Sequence, residues 1–141
     1  MSKPNRRDAT FDIDSIMEAR FTILEAALQR FETVCEPGAI RRAAVRLATI
    51  LHAHYEFEED PSTFFVEVQH LGTGPNQKLT LLRNEHGPIL QALAELAQAA
   101  GLSAAELRPK VLQVIGQIRD HEAREAQAFF DGIYTDHGNQ G

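Results

Sequence analysis

The chain has 141 residues, enough for one domain with a substantial core, and its only cysteine is Cys35, which excludes a disulfide framework and leads us to expect a reducing, cytoplasmic setting. Fourteen basic against twenty acidic residues leave a net charge of −6, which argues against a nucleic-acid partner, because phosphate binding needs a concentrated basic face. No apolar run approaches the ~20 residues that span a bilayer, and residues 1–14 lack the apolar stretch of a secretory signal, so no membrane partner is expected.

Glycine and proline divide the chain into long helical stretches. Residues 1–14 read as an N-terminal extension. The first helix is expected from Ser15, which forms a capping-box pair with Glu18, to about Cys35, ahead of Glu36-Pro37-Gly38. Phe21, Leu24, Leu28 and Phe31 recur along it at helical spacing. A second helix covers roughly Ala39 to Asp60, with Leu47, Leu51 and His54 on one face and Arg41, Arg42 and Arg46 on its solvated side; Pro61 interrupts it. Ser62 to Leu71 reads as a further helical piece, and Gly72 to Asn76 as a loop.

The third helix is expected from about Gln77 to Ala100, capped by Gly101, with Leu79, Leu82, His86, Ile89, Leu93 and Leu96 on a common face. Gly87-Pro88 inside this pattern predicts a kink beside His86. Ser103 and Glu106 make a second capping box. The fourth helix then runs to about Phe130, with a break possible at Pro109 and an inward row of Val111, Val114, Ile118 and His121. Residues 135–141 read as a tail. Helices of this length joined by short loops specify an all-α fold, an up-down four-helix bundle over 15–134.

The halves of the chain repeat each other. His54 and His121 lie 67 positions apart, as do Glu58 and Glu125, Leu51 and Ile118, and Leu47 and Val114. Phe21 maps onto His86 at an offset of 65, each followed by apolar residues at +3, +7 and +10. The bundle therefore reads as a duplicated helix pair closed on itself.

A histidine and a glutamate four residues apart share a helix face, with their Cβ atoms about 5–6 Å apart. Two such helices facing each other bring two imidazoles and two carboxylates into one small volume, where bound metal would offset the cost of burying them. Mixed nitrogen and oxygen donors suit iron or manganese better than a structural zinc site, and each carboxylate has two oxygens with which to bridge two ions. His-x-x-x-Glu occurs three times, at His52/Glu56, His54/Glu58 and His121/Glu125. The repeat selects the last two, with His86 joining them from the third helix. His52/Glu56 then falls on another side of its helix as a surface pair. His70 and His137 lie off the inward faces, Cys35 reads as structural, and Tyr55 and Tyr134 are left unassigned. A ferritin-like site needs two Glu-x-x-His motifs, and only Glu67/His70 fits.

Leu51-x-x-His54-x-x-x-Glu58-Glu59, Leu82-x-x-Glu85-His86-x-x-Ile89 and Ile118-x-x-His121-x-x-x-Glu125 together resemble the hemerythrin-like HHE cation-binding family, over about Ser15 to Tyr134. The resemblance implies an up-down four-helix bundle with an oxo- or hydroxo-bridged di-iron centre. His54, His86 and His121 would be terminal ligands, and Glu58 and Glu125 would bridge. The chain departs from the family where a first-helix histidine is usual, because Phe21 stands there. Leu90 follows His86 by four residues, as in many bacterial relatives. The two irons would then be unequal, with either Glu18 or Glu25 reaching inward as a substitute, or water completing the second iron.

Two functions of different class follow. The first is a small non-haem iron protein that binds or senses dioxygen, nitric oxide or peroxide, or that handles iron, acting through a protein partner or a homodimer. The second is a degenerate bundle, metal-free or mononuclear, that serves as a protein-interaction module, with Phe21 as apolar refilling of a ligand position. No Ser/His/Asp arrangement, phosphate loop or separate acid and base stands out, so catalysis ranks behind both.

Overall fold

The computed structural model describes residues 6–60 and 75–138, with side chains described over 18–60 and 80–128. Every regular element among the described residues is an α-helix: α1 (Arg6–Thr33), α2 (Pro37–Glu59), α3 (Pro75–Asn84), α4 (His86–Ala97) and α5 (Ala104–Gly138). Helices α3 and α4 are two halves of one rod, so four helical arms pack together as a helical bundle. The expected piece Ser62 to Leu71, and His70 within it, lie outside the described residues.

Local chemistry sets most of the boundaries. Glu36 is extended and Pro37 opens α2, where its fixed φ suits the first helical position and its missing N–H would have had no partner. At the other end Asp60 is extended (φ −69°, ψ 129°), the conformation that a following proline imposes on its neighbour. Ser103 caps α5 as expected: its Oγ accepts the Glu106 N–H at 3.2 Å, and the Glu106 carboxylate accepts the Ser103 N–H at 3.2 Å. Pro109 lies inside α5 without ending it.

Four boundaries correct the sequence reading. One is the end of α5, which continues to Gly138 instead of about Phe130 and takes in part of the expected tail at 135–141, since no proline stops it before Gly138. Helix α1 starts at Arg6, nine residues before Ser15, because nothing between Arg6 and Ser15 breaks a helix; the Ser15/Glu18 pair lies within it. Pro75 and Asn76 open α3 instead of completing a loop. Helix α4 ends at Ala97, earlier than Ala100, since its last turn tightens: Ala99 N–H donates to Leu96 O at 3.2 Å. Gly101 does adopt the left-handed conformation (φ 86°), but in the connection beyond the helix.

The kink expected beside His86 is present. Helix α3 stops at Asn84 and α4 starts at His86, with Glu85 between them. Pro88 has no N–H to give to Asn84, four residues back, and its ring crowds that carbonyl. Glu85 N–H bonds instead to Leu82 O at 3.0 Å, an i−3 contact.

The core is one apolar cluster: Leu24, Leu28 and Phe31 from α1, Leu47 and Leu51 from α2, Ile89 and Leu93 from α4, and Val111 and Ile118 from α5 are among its members. Helix α2 packs chiefly on α4 and α1, and α5 on α3, α4 and α1. Arg20 fastens α1 to α2, stacking over the Phe57 ring at 4.1 Å and reaching Ala53 O at 3.4 Å. On the other flank Arg119 pairs with Glu25 at 2.8 Å and with Glu32 at 3.3 Å. Among the described residues, no helix is long and apolar enough to cross a membrane.

Candidate metal centre

The apolar rows of α2 and α5 each change character at the same point of the repeat. After Leu51 and Ile118 come His54 and His121, then Glu58 and Glu125, still pointing inward. His86, at the start of α4, joins them. These five are the complete set of buried polar residues among the described side chains, none more than 5% exposed. All five candidate ligands therefore sit together in the bundle interior. His52 and Glu56 pair at 3.1 Å on the surface, with side chains 65% and 70% exposed.

Two donor groups are present, each with its ligand atoms within 4.8 Å of one another: His86, His121 and Glu125, and His54, Glu58 and Glu122. The carboxylates link the groups. His86 Nε2 lies 3.5 Å from Glu58 Oε2 and 3.6 Å from Glu125 Oε1. His54 Nε2 is 2.9 Å from Glu58 Oε1 and 3.4 Å from Glu122 Oε2, while His121 Nε2 meets Glu125 Oε1. These contacts are close but poorly directed. Nε2 of all three histidines is buried without a well-formed hydrogen bond among the described residues. Three inward-facing ring nitrogens converging on carboxylate oxygens form a set of donors that could hold a metal ion.

An outer layer fixes one of these rings. His121 Nδ1 donates to Glu85 Oε1 at 2.7 Å, which leaves Nε2 facing Glu125. Glu85 is itself clamped by Arg124 through bonds of 2.6 and 2.8 Å, and Arg124 Nε reaches Asp120 at 3.0 Å. A carboxylate behind the imidazole is the usual means of orienting a metal-binding histidine and raising its basicity. The kink at Glu85 thus places this carboxylate as well as His86. The Arg124 contact holds the Glu85 carboxyl below its ordinary range, with His121 adding to the effect.

Without a metal, the cluster binds protons. Burial alone would lower the His54 pKa, but Glu122 and Glu58 override it and raise the value to about 10. Burial opposes charge on His121 too, and Glu125 and Glu85 override it, raising the pKa to about 9. Burial pushes Glu58 up, with the Glu125 charge adding to the effect. Burial would also raise Glu125, yet its contacts with His121 and His86 hold it low.

The first-helix position has a different outcome from either expectation. Phe21 is 54% exposed and does not fill a ligand's place. Glu18 is exposed, and Glu25 is engaged by Arg119. The donor next to His54 is instead Glu122, whose side chain is only 11% exposed. A cavity of about 190 Å³ between α1 and α5, walled by Leu24, Leu28, Ala123 and Ala126, reaches Glu122 from the Phe21 side.

Tyr55 also belongs to the site. Its ring stacks on His86, with centroids 3.7 Å apart and planes 3° from parallel, and lies 5.8 Å from His121 and 6.0 Å from His54. Burial and the surrounding carboxylates, Glu122 first, raise its pKa. The sequence held a signal for both added residues: Tyr55 and Glu122 stand 67 positions apart, each directly after a repeat histidine. One step along a helix turns about 100°, which leaves such a residue on the flank of the same site. Tyr134 and His137 fall in α5, beyond the described side chains.

Comparisons with family models, with curated proteins and with solved structures find no match to this chain.

Proposed function

We propose that the chain is a hemerythrin-like non-haem iron protein, an up-down four-helix bundle whose interior holds a di-iron centre. The observation that carries the reading is the convergence of three buried, poorly hydrogen-bonded Nε2 atoms on Glu58 and Glu125. Apolar packing would have filled this space with leucines at lower cost, since ionisable groups buried without compensation are strongly destabilising. Imidazole and carboxylate together match ferrous iron better than a thiolate-seeking metal. His54, His86 and His121 would be terminal ligands, with Glu58 and Glu125 bridging.

Bound iron would supply a redox-active centre with room for an exogenous ligand, and the ligand class is a diatomic molecule or peroxide. The chain's own residues suit that task. Glu85 orients His121, and the half-open hollow between α1 and α5 that Glu122 lines, with Leu24 and Leu28 in its wall, has the volume of a molecule of a few atoms. Ligand sensing through a protein partner or homodimer fits this arrangement, as does iron handling.

The test is the metal content of protein expressed with ample iron and purified without oxygen or chelators. About two irons per chain would support the reading, and His86→Ala should lower that content where His52→Ala leaves it unchanged. Near one iron would point to a mononuclear site around His86 and His121. No iron, together with no uptake of added ferrous ion, would sink the reading in favour of a metal-free interaction module.

A further inference from the structure

We propose that Glu122 completes an oxygen-rich metal position with His54 and Glu58, so that the two halves of the centre select different metals and load in order. The inference rests on the metal-centre reading above and goes beyond it. It assigns a ligand that the duplicated His-x-x-x-Glu motif does not contain, and a mixed-metal state that a symmetric site would not favour.

The two donor groups differ in kind. His86, His121 and Glu125 offer two imidazole nitrogens and one carboxylate; His54, Glu58 and Glu122 offer one nitrogen and two carboxylates. Imidazole favours zinc, copper, nickel and iron, whereas carboxylate oxygen favours manganese and magnesium. The outer layers differ in the same direction. His121 is backed by Glu85, itself clamped by Arg124, which makes the nitrogen-rich half the better fixed. Among the described residues, His54 has no such carboxylate behind it: its Nδ1 is buried without a hydrogen-bond partner there.

Glu122 is held where a ligand must be. One of its oxygens faces His54 Nε2 at 3.4 Å, and the other is buried without a hydrogen-bond partner among the described residues. Among the described side chains of α1, Phe21 is turned largely to solvent, Glu18 is exposed and Glu25 is occupied by Arg119. A carboxylate from α5 therefore does the work that a first-helix imidazole would otherwise do, and it changes the donor balance of that half.

The experiment uses the full chain stripped of metal, with Zn(II) and Mn(II) as probes. Calorimetry with Zn(II) should resolve two unequal steps. After one equivalent of Zn(II), added Mn(II) should occupy the second position, seen as loss of the free-ion electron paramagnetic resonance signal at one equivalent. Glu122→Gln should weaken the second step by at least ~10-fold, the loss that removing even an outer-layer partner of a ligand causes, and leave the first step unchanged. Circular dichroism would verify that the variant folds, and the wild-type Zn(II)/Mn(II) partition is decisive without it. Two equal Zn(II) steps, exclusion of Mn(II) from the half-loaded protein, or a second step untouched in a folded Glu122→Gln would overturn the proposal while leaving the metal centre standing. Failure of any metal to bind would overturn both.

Discussion

Tyr55 is 2% exposed, and its hydroxyl has no hydrogen-bond partner among the described residues. A buried phenol without a partner carries a desolvation penalty of about 1–3 kcal/mol. Deleting the oxygen removes that penalty while the ring keeps its stack on His86. Tyr55→Phe should therefore leave the metal-free protein as stable as wild type, or more stable by up to about 1 kcal/mol, as read by urea denaturation. A loss above that size would mean the hydroxyl has a partner in solution. The histidines make a second prediction at this scale. Raised to about 10 and about 9, His54 and His121 bind protons more tightly in the folded chain than at the ordinary 6.5. Their contribution to stability is complete below pH 6.5 and is lost as pH climbs through the folded values. Melting temperature of the metal-free protein should fall from pH 6.5 to pH 10. Metal, which needs the neutral ring, should bind more tightly over the same interval and release protons at pH 7. A metal-free melting temperature that rose with pH would contradict both halves of this argument.

At the scale of elements, the break between α3 and α4 ties folding to the site. Pro88 forces the interruption at Glu85, and Glu85 is the carboxylate that orients His121. Pro88→Ala restores the missing N–H and allows an unbroken helix, so helix content and thermal stability should hold or rise, while metal affinity drops by about 10-fold, the usual scale for loss of an outer-layer carboxylate. Equal affinity in the two proteins would show that the kink is incidental to the site. This element also shows where sequence reading succeeds and where it stops. The kink was legible because proline has one dominant effect inside a helix, and the inward faces were legible because buried leucines recur at helical spacing. The start of α1 was not, since Ser15 and Glu18 have capping chemistry but no helix-breaker precedes them. Four of the five clustered residues were visible through the 67-residue repeat, which placed His54 with His121 and Glu58 with Glu125 in the same register, and His86 through its place on the apolar row of the third helix. Glu122 was hidden. Its spacing assigns it to the edge of the inward face, and only the packing of α5 against α1 and α2 decides that this edge is closed.

Across the whole molecule, apolar residues form the core, yet three imidazoles and two carboxylates occupy one end of it. A chain selected for stability alone would not place them there. Breaking one buried ion pair is costly, whereas replacing a whole buried polar cluster with well-packed apolar residues is often neutral or stabilising by 1–4 kcal/mol. Ligand binding works the other way, adding about 2.7 kcal/mol when the free ligand exceeds its dissociation constant 100-fold. The combined variant His54→Leu, Glu58→Leu, His86→Leu, His121→Leu and Glu125→Leu should accordingly melt at or above the temperature of the metal-free wild type. Ferrous iron should raise the melting temperature of the wild type in a concentration-dependent way and leave the variant unmoved. The comparison separates two origins for the buried charges. If the leucine variant is less stable than the metal-free wild type, and iron shifts neither protein, the histidine–glutamate cluster is a structural network that holds the bundle together by its own hydrogen bonds. If the variant is at least as stable and only the wild type responds to iron, the cluster is maintained against the interest of the fold, and metal is the reason.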